Sequence, residues 1–174
     1  RHVGVPIDVR KAIDFINASA ISRVDYGKIN GRPFFCACGV GFDALVSDHF
    51  AQGGRRGMFS YIQKTLTDWV TYKPETYKIE TPHFKKSFRA FVIACGNAAQ
   101  YGNNAYIAPY ASMRDGLLTI SIMAPFMPIE VPEVVAQLFT SNFVGSDHVT
   151  ILSSRWVKIK RKSALFLAPS VIGV

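Results

Sequence analysis

At 174 residues, with 49% hydrophobic and 18% charged side chains, the chain has enough apolar material for the core of one domain, which excludes intrinsic disorder. Its formal net charge of +8 admits an anionic membrane surface or nucleic acid as a partner and by itself selects neither. No apolar run reaches the length of a membrane span, since Ala90 to Cys95 stops at Gly96, and residues 1–20 hold no apolar stretch of the kind a secretory signal needs.

Pro6 and Asp8 open the first element. Asp8 is a candidate N-cap, and Val9, Ala12, Ile13 and Ile16 make one apolar stripe, which predicts a helix over 8–18. The period then shortens. Ser22 to Ile29 reads as a strand, Asn30-Gly31 as a turn and Pro33 to Cys38 as a second strand; Asn-Gly between two such runs is a hairpin signal. Gly39-Val-Gly41 is expected to break that strand, with a short helix from about Asp43 to Phe50 and a basic loop over Gln52 to Gly57. Phe59, Ile62, Leu66, Trp69 and Val70 recur at helical spacing, so 58–72 reads as a second amphipathic helix closed by Pro74.

Tyr77 to Glu80 and Phe88 to Cys95 read as strands with a turn around Pro82. Gly96 to Ser112 is a long loop rich in Asn, Gly, Ala and Tyr, and loops of that length in a compact domain usually carry function. Leu117 to Met123 is a strand, and 128–140 a helix with Val131, Val134, Val135, Leu138 and Phe139 inward. Val149 to Leu152, Trp156 to Lys160 and Ala164 to Leu167 complete the strands. The resulting fold class is mainly β, an antiparallel β-sandwich with a few inserted helices.

The candidate chemistry is sparse. Cys36, Cys38 and Cys95 lack metal or redox spacing and read as buried small hydrophobes in a reducing, cytosolic compartment. Gly39-Val-Gly41-Phe-Asp43-Ala44 fits a dinucleotide fingerprint, but Asp43 at the helix start would repel a pyrophosphate, and the preceding strand belongs to a hairpin; a tight turn is the better reading. His2, His49, His83 and His148 are scattered, and neither a serine-hydrolase elbow nor a phosphate loop occurs. Asp25 sits in the apolar run Val24 to Gly27, where an acid needs water, a partner or a metal; the residues alone leave these open. Ser112-Met-Arg-Asp115-Gly116-Leu117 reads first as an ordinary turn, and second as an oxygen-ligand site for a hard cation such as Mg²⁺.

The order of the segments says more than any one of them. Val24-Asp25-Tyr-Gly27 through Asn30-Gly31 is followed by Gly39 to Ala44, Gly57-Met-Phe-Ser60-Tyr61, Ala94-Cys-Gly96-Asn97 and Ala108 to Leu117. This series resembles the C-terminal half of the bacterial diacylglycerol kinase-like lipid kinases, relatives of the sphingosine kinases. The resemblance implies an ATP-dependent lipid kinase that transfers the γ-phosphoryl group to a lipid hydroxyl with Mg²⁺, cytoplasmic and peripheral to the membrane. ATP would be held mainly by a nucleotide-binding domain carrying a Gly-Gly-Asp-Gly-Thr motif. The chain opens on Arg1 rather than Met, so that domain is expected to precede it, with 1–22 as linker and helix and 23–174 as the substrate-side sandwich. Asp25 matches a catalytic-site acid that faces the interdomain cleft, and Asp115 an acid that holds a structural Mg²⁺ with backbone oxygens of Ser112 and Leu117. A lipid substrate and an anionic membrane surface are the expected partners, nucleic acid is not, and a homodimer is left open. The family also carries an Asp-Gly-Glu segment at the end of this region, whereas residues 164–170 hold no acid. Beside this stand two other readings: a non-catalytic β-rich basic module that binds anionic membrane or nucleic acid, and a dinucleotide-binding protein through Gly39 to Ala44.

Overall fold

The computed structural model of the chain describes residues 2–42, 44, 72–102, 105–142, 146–162 and 170–174. The predicted helices over 43–50 and 58–72, apart from Ala44 and Tyr72, lie outside the described residues, as do the loop over 52–57 and the predicted strand over 164–167.

Helix α1 spans Val9–Ala18, and Asp8 caps it by accepting the Lys11 N–H at 3.0 Å. None of its residues is buried; Val9, Ile13 and Ile16 all face solvent, so the stripe that predicts this helix is uncovered. The Asn30-Gly31 turn is as predicted, with both residues at positive φ, and it joins β1 (Gly27–Ile29) to β2 (Arg32–Phe34). The run from Pro33 to Cys38 is not one strand. It bends at Phe35 and Cys36, and the chain crosses to a different sheet as β3 (Ala37–Gly41). Gly39 therefore lies inside β3, and the expected break comes at Gly41, its last residue. A Cβ on Gly41 would meet the Phe91 carbonyl oxygen at 2.5 Å, and its φ is +97°, so this glycine serves close strand pairing, not a phosphate.

The remaining strands are β4 (Glu75–Glu80), β5 (Lys85–Ala90), β6 (Val92–Gly96), a small β7–β8 hairpin (Gln100–Gly102 and Ala105–Tyr106), β9 (Leu118–Met123), β10 (Val149–Ser154), β11 (Trp156–Arg161) and β12 (Ser170–Gly173). The predicted strand Phe88 to Cys95 is split at Phe91 between two sheets. A 3-10 turn at Pro128–Glu130 leads into α2 (Val131–Thr140). Every pairing is antiparallel: one sheet runs β2-β1-β12-β11-β4-β5, and a second runs β10-β9-β6-β3.

The two sheets face each other across a core of Tyr77, Ile79, Ile93, Cys95, Leu118, Ile120, Val157, Ile159 and Ile172. Fully burying each of the aliphatic side chains is worth about 1.5–3 kcal/mol. The four-stranded sheet has a second buried face. Val92, Ala94 and Met123 point away from the first core and pack with Phe42, Phe91, Ile107, Ala108, Ala111 and Val134. The domain is thus a sandwich with a third layer made by α2 and the chain around 105–111. In α2 Val134 is the buried residue and Leu138 is packed against it, while Val135 and Phe139, expected inward, are exposed. The helix packs mainly beside Ala105–Tyr106 and contributes only a narrow stripe to the core.

The cysteines divide differently from the expectation. Cys95 is fully buried and faces Cys38 across the β3–β6 ladder. The hydrogen bond with Cys38, and burial after it, push the Cys95 thiol well above its ordinary pKa. Cys36 lies in the bend before β3 and is exposed, contrary to the buried reading. Iodoacetamide labelling read by mass spectrometry should modify native Cys36 readily and Cys95 only after unfolding; equal rates in the native protein would contradict this packing.

Candidate functional site

The site is built where the chain leaves β6. Asn97 follows Gly96 directly, and its side chain is 0% exposed. Its amide nitrogen donates to two carbonyls from distant parts of the chain, Asp25 and Phe35, each at 2.9 Å. The backbone N–H groups of Asn97 and Ala98 both donate to the Cys36 carbonyl, at 2.8 and 2.9 Å. One residue thereby fixes the extended segment that carries Asp25 and the bend at Phe35 and Cys36. Ser22 to Tyr26 does not join the sheet despite its strand-like sequence, and at Asp25 both backbone groups are engaged by Met113 and Asn97 instead.

Asp25 is half-buried and grips a second segment. Its N–H donates to the Met113 carbonyl at 2.8 Å, and its Oδ2 accepts the Gly116 N–H at 2.8 Å. The turn from Ser112 to Leu117 is closed by its own side chains. Asp115 Oδ1 accepts the Leu117 N–H at 3.0 Å, and Ser112 Oγ accepts the Arg114 N–H at 3.3 Å. Gly116 reverses the chain between them at φ +67°. Arg114 reaches Ser22 Oγ at 3.3 Å, a further tie between the same two segments. The sequence-predicted residues Asp25, Ser112, Asp115 and Leu117 therefore come together in one place. Asp25 binds the turn, and Asp115, exposed, projects from it.

Sequence reasoning assigns Asn97 no role, although it stands in one of the motifs. The signal was there: an asparagine directly after a fully apolar strand must find partners for its amide, and here the nitrogen finds two carbonyls, while the buried Oδ1 has no partner among the described residues. His2 is also tied in, its Nδ1 accepting the Ala99 N–H at 3.4 Å. Beside the turn, Leu117 shares an open hollow of about 570 Å³ with His83, Ser153, Ser154 and Arg155. Asp43 lies outside the described residues. Among the described residues no three His, Cys, Asp or Glu side chains gather into a metal-binding group. A cation here would rest on few carboxylates, main-chain oxygens and water.

Residues 36–170 match the family model described as the YegS C-terminal NAD kinase beta sandwich-like domain. The chain belongs to this family. A protein of Pseudomonas syringae pv. tomato named "Probable lipid kinase YegS-like" is 28% identical over 95% of this chain, and one of Chromohalobacter salexigens with the same name is 26% identical over 94%. The chain spans about half the length of these relatives, 54% and 53%. A crystal structure of a diacylglycerol kinase from Bacillus anthracis strain Sterne superposes with a TM-score of 0.69 over 99% of this chain and 58% of that one, at 17% identity, which shows a shared fold. The YegS-type sandwich thus accounts for the two facing sheets, and the chain's curated relatives are named lipid kinases.

The Asn97 amide is the test of the site's construction. In Asn97→Ala two partly buried carbonyls lose their donor, so stability should fall by about 1–3 kcal/mol in urea unfolding. A loss under about 0.5 kcal/mol would show that the amide bonds do not hold these segments.

Proposed function

We propose that this chain is the substrate-side domain of an ATP-dependent lipid kinase that phosphorylates the hydroxyl of a diacylglycerol-like lipid. The observation that carries the reading is the double grip of Asp25 on the 112–117 turn, through Met113 O and Gly116 N–H. It places one carboxylate at a fixed point beside a second, Asp115, in a chain whose net charge is otherwise strongly positive. In phosphoryl transfer the lipid oxygen forms a bond to the γ-phosphorus as the bond to the β,γ-bridging oxygen breaks, and the hydroxyl proton must leave. The protein's contribution is mainly position and charge.

Asp25 in this reading is the acid at the reacting end, oriented by Gly116 and Asn97. Its hydrogen-bonded carboxylate is available to receive a proton or to orient the hydroxyl. ATP would be bound mainly by a nucleotide-binding domain outside this chain. The donors at the turn fit Mg²⁺: they are all oxygens, and a cation that keeps several waters needs few protein ligands. Asp115 and the backbone oxygens of Ser112 and Leu117 would hold it, and when bound it would brace the turn that Asp25 grips. No helix among the described residues is long and apolar enough to cross a membrane. We place the protein in the cytoplasm, peripheral to the bilayer that supplies its substrate.

Asp25→Asn separates charge from scaffold, because an amide oxygen can still accept the Gly116 N–H. In the protein with its nucleotide domain, this variant should lose about a hundredfold or more in lipid phosphorylation, with its melting temperature close to that of the parent. Retention of half the activity would sink the reading. For the metal, adding Mg²⁺ should raise the melting temperature of the parent by mass action and leave Asp115→Ala unmoved. A response of the same size in both would reduce Asp115 to a turn residue.

A further inference from the structure

The six-stranded sheet has one face in the core, and the register defines what the other face carries. Along β4 and β11 the buried residues are Tyr77, Ile79, Val157 and Ile159, so their neighbours Lys78, Glu80, Lys158 and Lys160 point outward. Read across the sheet, the outward side chains fall into rows. Lys158 stands opposite Glu80, which stands opposite Lys85. Lys160 stands opposite Lys78. The Lys162 N–H extends the ladder to the Thr76 carbonyl at 2.8 Å, and Thr76 stands opposite Arg89. Toward the other edge Trp156 pairs with Gly173, and Gly173 with Lys28.

Among the described residues Glu80 is the one acid in these rows, and its own electrostatics reflect the crowding. Its carboxyl is held below the usual range first by the hydrogen bond to Lys85, with Lys158 and Lys78 adding to the effect. The other cations have no acid among their described cross-strand neighbours. Natural ladders avoid like charges directly opposite one another, and Lys160 facing Lys78 forgoes stability. Among the described residues, cations therefore gather on one exposed sheet face with a single acid among them. At the Trp156 end this face turns apolar: Trp156, Val171 and Tyr26 are all exposed, and Lys28 lies over the Tyr26 ring at 5.6 Å. A shallow depression of about 360 Å³ between Tyr26, Lys28 and Val171 marks the same corner. Asp25 is the residue before Tyr26.

We propose that this outward sheet face docks on an anionic lipid surface, with the lysine rows over the headgroups and Trp156 and Tyr26 at the headgroup–acyl boundary. The charge complementarity and the aromatic margin both fit that partner, since polybasic surfaces and interfacial Trp and Tyr are the two features that hold a protein on an anionic bilayer. A second copy of the same face is excluded by repulsion. The inference takes from the lipid-kinase reading only that the substrate lies in a membrane, and it adds that the docked face shares a corner with Asp25.

The test is co-sedimentation with vesicles of phosphatidylcholine alone and of phosphatidylcholine with phosphatidylglycerol. The chain should bind the anionic vesicles, weakly or not at all the neutral ones, and lose binding as salt rises. Lys78→Gln with Lys160→Gln should weaken binding about 30-fold, at roughly one kcal/mol per cation, while Arg10→Gln with Lys11→Gln, the same charge change on α1, should have a much smaller effect. Trp156→Phe should remove the blue shift of tryptophan fluorescence that anionic vesicles produce. Equal binding to both vesicle types, equal losses in the two double variants, or tighter binding of the same face to a short DNA duplex would each overturn the proposal. Phosphorylation of lipid in neutral detergent micelles does not use this face, so failure there would strike the kinase reading alone.

Discussion

Strand β6 feeds two cores at once. Ile93 and Cys95 point into the sandwich, and Val92 and Ala94 into the layer formed by α2 and the chain near 105–111, so all of its side chains are buried. β9 beside it is buried along its full length as well. A strand held from both sides has no freedom to slip, because a shift of one residue would exchange the two sets of side chains. Gly96 at its end and Asn97 just beyond are equally fixed. The site inherits its rigidity from this strand: Asn97 is positioned by packing, Asn97 positions the Asp25 carbonyl, and Asp25 positions the 112–117 turn, which leads straight back into β9. The loop is closed at both ends by the same pair of strands.

Much of this was legible in the sequence, and the misses have physical causes. The Asn30-Gly31 hairpin, the cap at Asp8 and the strand at Leu118 to Met123 arise from local signals that tertiary contacts did not override. The runs Pro33 to Cys38 and Phe88 to Cys95 each read as one strand because nothing polar interrupts the apolar pattern enough to show a change of sheet. In a sandwich, strands that switch sheets stay extended, and only the partner changes. At Gly41 the sequence shows the end of β3 but not its reason, which is steric and long-range: this glycine makes room for the carbonyl of Phe91, far away in sequence. Asp25 and Asp115 could be flagged singly, but their meeting depends on Asn97, whose role is tertiary.

The distribution of charge was half visible. Lysines alternating with apolar residues from Trp156 to Lys160 announce a half-exposed strand. The sequence cannot say that Lys78 and Lys85 come from a different hairpin to lie alongside them, because that is a matter of register. Two opposed electrostatic regions result. One sheet face collects cations and accepts the cost of like charges in adjacent strands. The carboxylates of Asp25, in the segment before β1, and of Asp115, in the turn before β9, each accept a backbone N–H. A carboxylate oriented by a backbone N–H still has oxygen lone pairs that can meet a cation or a reacting hydroxyl.

Asp25 is the clasp between the Asn97 end of β6 and the 112–117 turn. Amide hydrogen exchange at Gly116 reports on that clasp directly, since its N–H is the donor to Asp25 Oδ2. Exchange at Gly116 should be slow in the parent protein and approach the rate of an open turn in Asp25→Ala, with the β6 and β9 amides still protected. Gly116 exchange that is fast in both, or equally slow in both, would contradict the claim that Asp25 holds the site together.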